Sequence, residues 1–322
     1  MNDIDVSIII VSYNTRDLTL DCVRSVYDQT SSSCEVIVVD NNSTDGSAEA
    51  VAADFPQAIV LANRDNRGFA AANNQGMEIA KGRHVLLLNP DTVIREEAID
   101  KCLEFMDANP EIGVLGCKVL GADNQRQSTC FMTPTLKGIV YSLFIPVALS
   151  RSSRRFGRGR YVGNDWSKLQ DVAVVAGCFM LVRREVLNKV GLMDPNYFMY
   201  QEEVDWCYRI RRAGWRIVYF PDAWITHYGG QATDQYSEKM LILQTKSRLY
   251  FIRKHHGKTT AFMANFVMLV HNLIRMPFVW LVRILPSRTP ISRHLTMRVL
   301  FQRIVFHLRA MKNLDEVISF RV

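Results

Sequence analysis

Four times in the first ninety residues an apolar run breaks off into polar turn residues. The run "VSIIIVSYN" (6–14) is nearly continuous in Val and Ile, then ends on Ser12, Tyr13 and Asn14. Behind it Leu18, Cys22, Val23 and Val26 follow i, i+3, i+4 spacing, which is one face of a helix. "CEVIVVDNNSTDGS" repeats the transition, with Asp40 at the strand's end and a helix start between Ser43 and Ser47. A shorter strand, "AIVLAN", precedes "NRGFAAANNQGMEIAKG", an Ala-rich helix closed by Gly82. "HVLLLNPD" is the fourth strand. Strands that are apolar throughout and alternate with helices predict an α/β fold, a parallel sheet covered on both faces.

In such sheets, ligands bind beyond the carboxyl ends of the strands. Three ends here deliver polar side chains to one rim: Ser12-Tyr13-Asn14, Asp40-Asn41-Asn42 and Asn89-Pro90-Asp91. An isolated Asn-Pro-Asp reads equally well as a surface turn. Three converging ends favour a binding site, with "LLLNPDTVI" stopping where its floor begins.

The middle of the chain contains "YSLFIPVALSRSSRRFGRGR", with five arginines between Arg151 and Arg160. It fits a solvated loop and a flap over an anionic ligand equally. "VAVVAGCFMLVRREVLNKVG" predicts a strand pair or a strand-turn-helix. In "QEEVDWCYRIRR" the helical period sets Glu202 and Asp205 on one face, with Arg209 a further turn on. Surface ion pairing would account for that cluster. Trp206, Tyr208 and Ile210 instead argue for a buried helix, where clustered carboxylates acquire raised pKa values suited to a general base. His227, in "ITHYGG", is a candidate metal ligand, although a lone His is more often structural.

Past residue 236 the pattern changes. "TTAFMANFVMLVHNLIRMPFVWLVRIL" is apolar enough to suggest a membrane span, but Asn265, His271, Asn272, Arg275 and Arg283 interrupt it and Pro277 should kink it. At 100° per residue those five occupy roughly a third of the circumference. The expectation is an amphipathic helix pair whose basic face lies among lipid headgroups.

Charge reinforces this division. The chain carries +7, yet residues 246–322 hold 14 Lys and Arg against two Asp and Glu, a net +12, leaving −5 on residues 1–245. A basic tail implies an anionic partner. Seven scattered cysteines without a CxxC pair suit reduced thiols in a cytosolic chain. The N-terminus "MNDIDVSIIIVSYN" places acidic residues before its apolar run, the wrong polarity for a signal peptide. No GxGxxG follows the first strand and no GxxxxGK[ST] occurs, so a bound phosphate needs a divalent cation, with Asp91 its foremost carboxylate.

"VSYN", "DNNSTDGS", "NRGFAAANNQG", "LLLNPD", "AGCFMLVRREV", "GLMDPNYFMYQEEVDWCYRIRRAGW" and "HYGG" occur in this order over about 225 residues. Together they resemble the inverting family-2 glycosyltransferases of the GT-A fold. Among these the chain is most similar to bacterial rhamnosyltransferases of O-antigen (lipopolysaccharide) and cell-wall polysaccharide assembly. The resemblance implies a Rossmann-like, mostly parallel central sheet flanked by helices, catalytic over residues 1–235; the basic amphipathic helical region over 236–322 is the expectation of the pattern and charge above. The resemblance further implies that Ser12, Tyr13 and Asn14 line the nucleotide pocket and that Asp40 accepts a hydrogen bond from a pyrimidine imide. Asn42 and Arg67 would flank the nucleotide and its phosphates. Asn89-Pro90-Asp91 takes the place of the family's Asp-x-Asp, with Asp91 and His227 holding Mg²⁺ or Mn²⁺. Glu203 falls where the catalytic base lies, with Glu202 and Asp205 as alternatives. Two departures stand out: Asn89 replaces a carboxylate, and Glu202-Glu203 replaces the usual Glu-Asp.

The implied reaction moves a sugar, rhamnose from dTDP-rhamnose or a hexose from a UDP-hexose, to a hydroxyl of a polyprenyl-diphosphate-linked glycan. The enzyme would be peripheral at the cytoplasmic face of the plasma membrane, against anionic lipid, with no nucleic-acid partner and a homo-oligomer left open. A nucleotidylyltransferase is the rival enzyme reading, but "VSYNTRD" lacks its Gly-rich phosphate loop. A non-catalytic binder acting through the basic tail leaves the polar rim unexplained.

Overall fold

The first apolar run forms β1 (Val6–Ser12), buried at every residue. It is followed by α1 (Arg16–Gln29), β2 (Cys34–Asp40), α2 (Ser47–Asp54), β3 (Ile59–Ala62), α3 (Gly68–Ile79) and β4 (His84–Leu88). Then come β5 (Thr92–Ile94), α4 (Ala98–Ala108), β6 (Ile112–Leu120), β7 (Cys130–Phe131) and α5 (Leu136–Phe144). The strands β8 (Gln170–Asp171), β9 (Val174–Val175) and β10 (Phe179–Arg183) lead to α6 (Arg184–Val190), α7 (Glu202–Arg212) and β11 (Arg216–His227). Helices α8 (Ser237–His256), α9 (Lys258–Ile284), α10 (Met297–Lys312) and α11 (Leu314–Ile318) complete the chain. The computed structural model describes residues 4–145, 161, 164–229, 237–284 and 297–319, excepting the side chains of 237, 238, 278 and 281–284. The five arginines of 151–160 and Arg283 lie outside this description.

Two compact units emerge. The first comprises Met1–Thr133, Asn164–Phe198 and Glu202–Ala232. Its sheet runs β3-β2-β1-β4-β10-β6-β11-β5, with β8 added against β11. Strands β1 to β4 are mutually parallel, so Ser12 and Asp40 end side by side. Strand β10 enters antiparallel between β4 and β6. The chain leaves β4 at Leu88, passes through Asn89-Pro90-Asp91, and rejoins the sheet as β5 at its far edge, paired to the end of β11. That crossing brings Asp91 beside His227, although 136 positions separate them.

The second unit is helical: α8 to α11, the described residues of Pro134–Gly163, and Met199–Gln201. Here the structure differs from the expected headgroup-facing helix pair. Helix α9 is one continuous 27-residue helix that contains Pro277. Two members of its polar stripe point inward, Asn265 fully buried and Asn272 nearly so, while His271 and Arg275 are partly exposed. The opposite face exposes Phe262, Met263, Phe266, Leu273, Ile274 and Trp280. The physical reason lies on α10, where buried His307 takes a 2.6 Å hydrogen bond between Nδ1 and Asn265 Oδ1, and its carbonyl accepts from Asn265 Nδ2. The sequence period identified the stripe correctly; a polar partner on a neighbouring helix reversed its direction. No helix among the described residues is long and apolar enough to cross a membrane.

Candidate active site

The end of β4 and the end of β11 build the densest polar cluster. Asp91 Oδ1 lies 3.2 Å from His227 Nε2, and Asn89 Nδ2 lies 3.4 Å from the same nitrogen. Backbone bonds hold these groups in place: Asn89 N donates to Cys178 O, and Tyr228 N donates to Asp91 O. Thr92 Oγ1 caps Asn89 O at 2.7 Å. Gln127, in the loop after β6, fixes the imidazole. Its Nε2 donates to His227 O at 2.8 Å, which turns its Oε1 toward His227 Nδ1 at 2.7 Å. A carbonyl oxygen only accepts, so Nδ1 carries the hydrogen. In the neutral ring the Nε2 lone pair then faces the Asp91 carboxylate.

Two electron-pair donors confronting each other at 3.2 Å fit a divalent cation between them. Adjacent ligands of an octahedral ion at about 2.1 Å sit roughly 3 Å apart. Among the described residues no three His, Cys, Asp or Glu side chains gather into a metal cluster. The protein therefore offers a two-ligand site, which suits an ion completed by substrate phosphates and water. Asn89 adds a polar neighbour without a charge.

A second polar cluster lies at the ends of β1 and β2. Asp40 is 3% exposed; its Oδ2 accepts from Ser43 N at 2.9 Å, while Oδ1 is buried with no partner. An orphaned carboxylate oxygen is costly to bury and suits an incoming N–H donor, such as a base imide. Asn14, with φ 52°, clips β1 to the 43–44 turn by accepting from Thr44 N at 2.8 Å. Ser12 has a different role from the pocket lining expected of it. It is fully buried in a hydroxyl triangle with Thr15 and Thr19 at 3.1–3.2 Å, so its side chain faces the protein interior. Tyr13 is partly exposed. Of the adjacent asparagines, Asn42 takes a left-handed turn (φ 68°) and points to solvent. Asn41 is the organiser: its Oδ1 accepts from Arg67 N at 3.0 Å and its Nδ2 donates to Asn66 Oδ1 at 2.9 Å. That bond places the exposed Arg67 at the N-terminus of α3, where backbone N–H groups favour an anion.

Helix α3 also anchors the approach to α7. Gly68 has φ 81° and a Cβ there would collide with the Phe198 carbonyl, to which Phe69 N donates at 2.8 Å. Asn74 brackets Met193 through both its N–H and its carbonyl. Tyr200 and Gln201, both at left-handed φ near 70°, then turn the chain into α7.

The first turn of α7 separates three candidate bases. Asp205 is fully buried and bound to Arg209 at 2.8 Å, while Arg209 also donates to Val190 O and Leu192 O. That lattice holds helix to loop and withdraws Asp205 from proton transfer. Glu202, 4% exposed, is pushed well above the usual carboxylate range by burial and then by the charge of Glu203. Glu203 is partly exposed and raised by burial, with backbone N–H groups opposing the shift. Both carboxyls are thus raised by burial, with the charge of Glu203 adding to the rise at Glu202. Among the described residues no hydrogen bond joins Glu203 to the Asp91–His227 pair. The two are connected through β9, against which α7 packs, and through Cys178, whose carbonyl receives Asn89 N.

Gln127 escaped the sequence reading, and Asn41 entered it only as one of the polar residues at the rim, without a role of its own. Gln127 sits in "NQRQST", which has no signal; the buried–exposed contrast within "DNN" could only be decided by the backbone.

Known proteins resemble this chain in sequence and in fold. The family model described as glycosyl transferase family 2 matches residues 7–191. N-acetylglucosaminyl-diphospho-decaprenol L-rhamnosyltransferase of Mycobacterium tuberculosis is 28% identical over 241 residues, 69% of this chain and 75% of that protein. The putative teichuronic acid biosynthesis glycosyltransferase TuaG of Bacillus subtilis is 39% identical over 104 residues, 31% of this chain and 41% of that protein. Among solved structures, the mannosyltransferase PcManGT from Pyrobaculum calidifontis, in complex with GDP-Man and Mn²⁺, superposes with a TM-score of 0.57 at 16% identity, covering 97% of this chain and 88% of that one. That likeness establishes the fold, a mixed, mostly parallel sheet flanked by helices.

Proposed function

Because the chain belongs to glycosyl transferase family 2, we propose that it transfers rhamnose from dTDP-rhamnose, with inversion, to a hydroxyl of a polyprenyl-diphosphate-linked glycan. The observation that carries this reading is the Asp91–His227 pair, two donors facing each other at 3.2 Å with Gln127 holding the ring. A Mg²⁺ or Mn²⁺ ion bound there would neutralise charge on the leaving diphosphate. Asp40, with its free Oδ1, recognises the nucleobase imide; Arg67 and the N-terminus of α3 receive phosphate. Glu203 takes the proton from the acceptor hydroxyl as that oxygen attacks the anomeric carbon and the nucleoside diphosphate departs from the opposite face. The rhamnosyl donor and lipid-linked acceptor draw support from the M. tuberculosis relative, whose name gives a decaprenol-diphosphate-linked N-acetylglucosamine and L-rhamnose.

We extend the proposal to location. The helical unit turns large apolar side chains outward: Phe266 is 51% exposed, Trp280 58% and Phe301 59%. Exposed apolar side chains on two helices of this kind match the boundary of a lipid leaflet. The peripheral attachment, assigned to the cytoplasmic leaflet, therefore works through apolar insertion, with basic residues supplementing it.

Incubation of the full chain with Mn²⁺, a polyprenyl-diphosphate-linked N-acetylglucosamine and a panel of nucleotide-sugars tests the reading. dTDP-rhamnose should yield dTDP faster than any UDP-hexose. Turnover of UDP-hexoses alone would replace the donor assignment, and absence of all turnover would refute transfer to this acceptor.

A further inference from the structure

Where the chain leaves α6, four successive carbonyls each accept from a side chain. Val190 O accepts from Arg209 Nη1 at 3.1 Å, Gly191 O from Trp206 Nε1 at 2.9 Å and Leu192 O from Arg209 Nη2 at 2.8 Å. Met193 O accepts from Asn74 Nδ2 at 2.9 Å, and Met193 N donates to Asn74 Oδ1 at 3.1 Å. Backbone groups of a connecting segment ordinarily turn to water or to one another. Here the donors come from two helices: Trp206 and Arg209 from α7, Asn74 from α3. Asp205 locks the Arg209 guanidinium from behind at 2.8 Å, which gives that buried carboxylate a duty apart from proton transfer.

The two helices have different parts in the proposed reaction. Helix α3 starts beside Arg67, where phosphate is received, and α7 carries Glu203 in its first turn. Asn74 lies about 10 Å along α3 from Arg67, away from the nucleotide end. Between the two helices the chain is held throughout. Tyr197 N donates to Asp194 O at 3.1 Å, Asp194 Oδ1 accepts from Asn196, and Met193 and Tyr197 are buried. Phe198 O accepts from Phe69 N at 2.8 Å, beside Gly68, where a Cβ would not fit. Helix α3, residues 190–198 and α7 are thus bonded in series within the α/β unit.

We propose that Asn74 is a positioning residue for Glu203: by gripping Met193 it sets where the first turn of α7 stands, without touching substrate. The inference rests on Glu203 being the base, as proposed above; the bonds that make up the brace do not. Loss of the Asn74 amide frees one end of residues 190–193. It leaves intact the bonds of Asp40 to Ser43 and of Asn41 to Asn66 and Arg67. A general base works only within hydrogen-bond reach of its proton, and a shift of about 1 Å from a distant change costs on the order of 10²-fold in rate. Base geometry and donor binding therefore separate at Asn74.

The test uses the full chain. Without ligand, hydrogen–deuterium exchange in Asn74→Ala should quicken over residues 190–193 and over α7, with β4 unchanged. In transfer assays kcat should fall on the order of 10–100-fold, while donor KM and dTDP affinity stay within about twofold. Trp206→Phe removes the donor to Gly191 O and keeps a buried ring. It should give the same split at smaller size, and it carries the test if Asn74→Ala fails to fold. The double variant should lose less than the product of the two single losses, because both bonds hold one segment. An unchanged kcat in Asn74→Ala would overturn the inference. So would a donor KM that rises in step with the fall in kcat, fully independent losses in the double variant, or exchange over α7 equal to wild type. A wild type that transfers no sugar from any nucleotide-sugar would instead refute the proposed reaction, and the exchange comparison would still decide whether Asn74 holds α7.

Discussion

The two units distribute polarity in opposite ways. In the α/β unit strands β1 and β4 bury their Val, Ile and Leu, and polar groups collect where strands end, at Asp40, Asn89 and Asp91. In the helical unit Asn265, Asn272 and His307 are buried while Phe266, Trp280 and Phe301 face outward. The first arrangement suits water around a polar substrate. The second suits a surface in contact with lipid, where apolar side chains meet acyl chains and polar ones satisfy each other inside. On the proposed reading, one unit meets a nucleotide-sugar and the other a membrane surface.

The sharpest way to break this contrast is at the polar rim. Glu203→Gln should lower transfer on the order of 10²–10⁴-fold. Nucleotide binding should persist, measured by dTDP titration. The same substitution should raise Tm at neutral pH. A carboxyl whose pKa rises on folding holds its proton more tightly in the native state, so stability is highest at low pH and declines as pH climbs from the ordinary carboxylate value through the raised one. Gln removes that loss. For the same reason the wild-type rate should increase with pH across a range above the usual carboxylate pKa, as Glu203 ionises. A Glu203→Gln variant that keeps the wild-type rate and pH profile, with unchanged Tm, would return the base assignment to Glu202.

Next in size, Asp91→Asn should cost on the order of 10²-fold in turnover and weaken the Mn²⁺ requirement. Gln127→Ala touches neither substrate nor ion, yet should weaken Mn²⁺ affinity roughly 10–100-fold by releasing the imidazole. Gln127→Glu, which still accepts from Nδ1, should recover part of that affinity. Equal loss in both variants would reduce Gln127 to a packing role.

The smallest effects are expected on the apolar face. Each large apolar side chain withdrawn from water contributes about 1.5–3 kcal/mol. Phe266→Gln and Phe301→Gln should therefore each reduce vesicle partitioning on the order of tenfold. The matching change at exposed Ile79 of α3 should leave partitioning unaltered. If all three behave alike, the outward apolar face has no special affinity for lipid.

Much of the α/β unit was legible because period and punctuation agreed. The runs that form β1, β2 and β4 end buried, and Asp40 and Asp91 stand where such runs stop, whereas the equally apolar β3 leaves Ile59 exposed. The pairing of Asp91 with His227 was not in the local pattern. It depends on the passage from β4 to β5 across the sheet, and only the family resemblance anticipated it. Asp205 illustrates another limit: its spacing from Arg209 was clear, but whether the pair was structural depended on Val190 and Leu192, carbonyls contributed by a distant loop. In α9 the periodicity located the polar stripe, yet amphipathicity alone does not say which face is covered. His307 decided that, from a helix some forty residues later.

The pairing of Asp91 with His227 is tested most directly by locating Mn²⁺ through its anomalous scattering in crystals grown with dTDP. The account predicts one strong peak about 2 Å from both Asp91 Oδ1 and His227 Nε2, adjoining the diphosphate oxygens. A peak bound elsewhere, or dTDP seated with no ion between these two side chains, would contradict it.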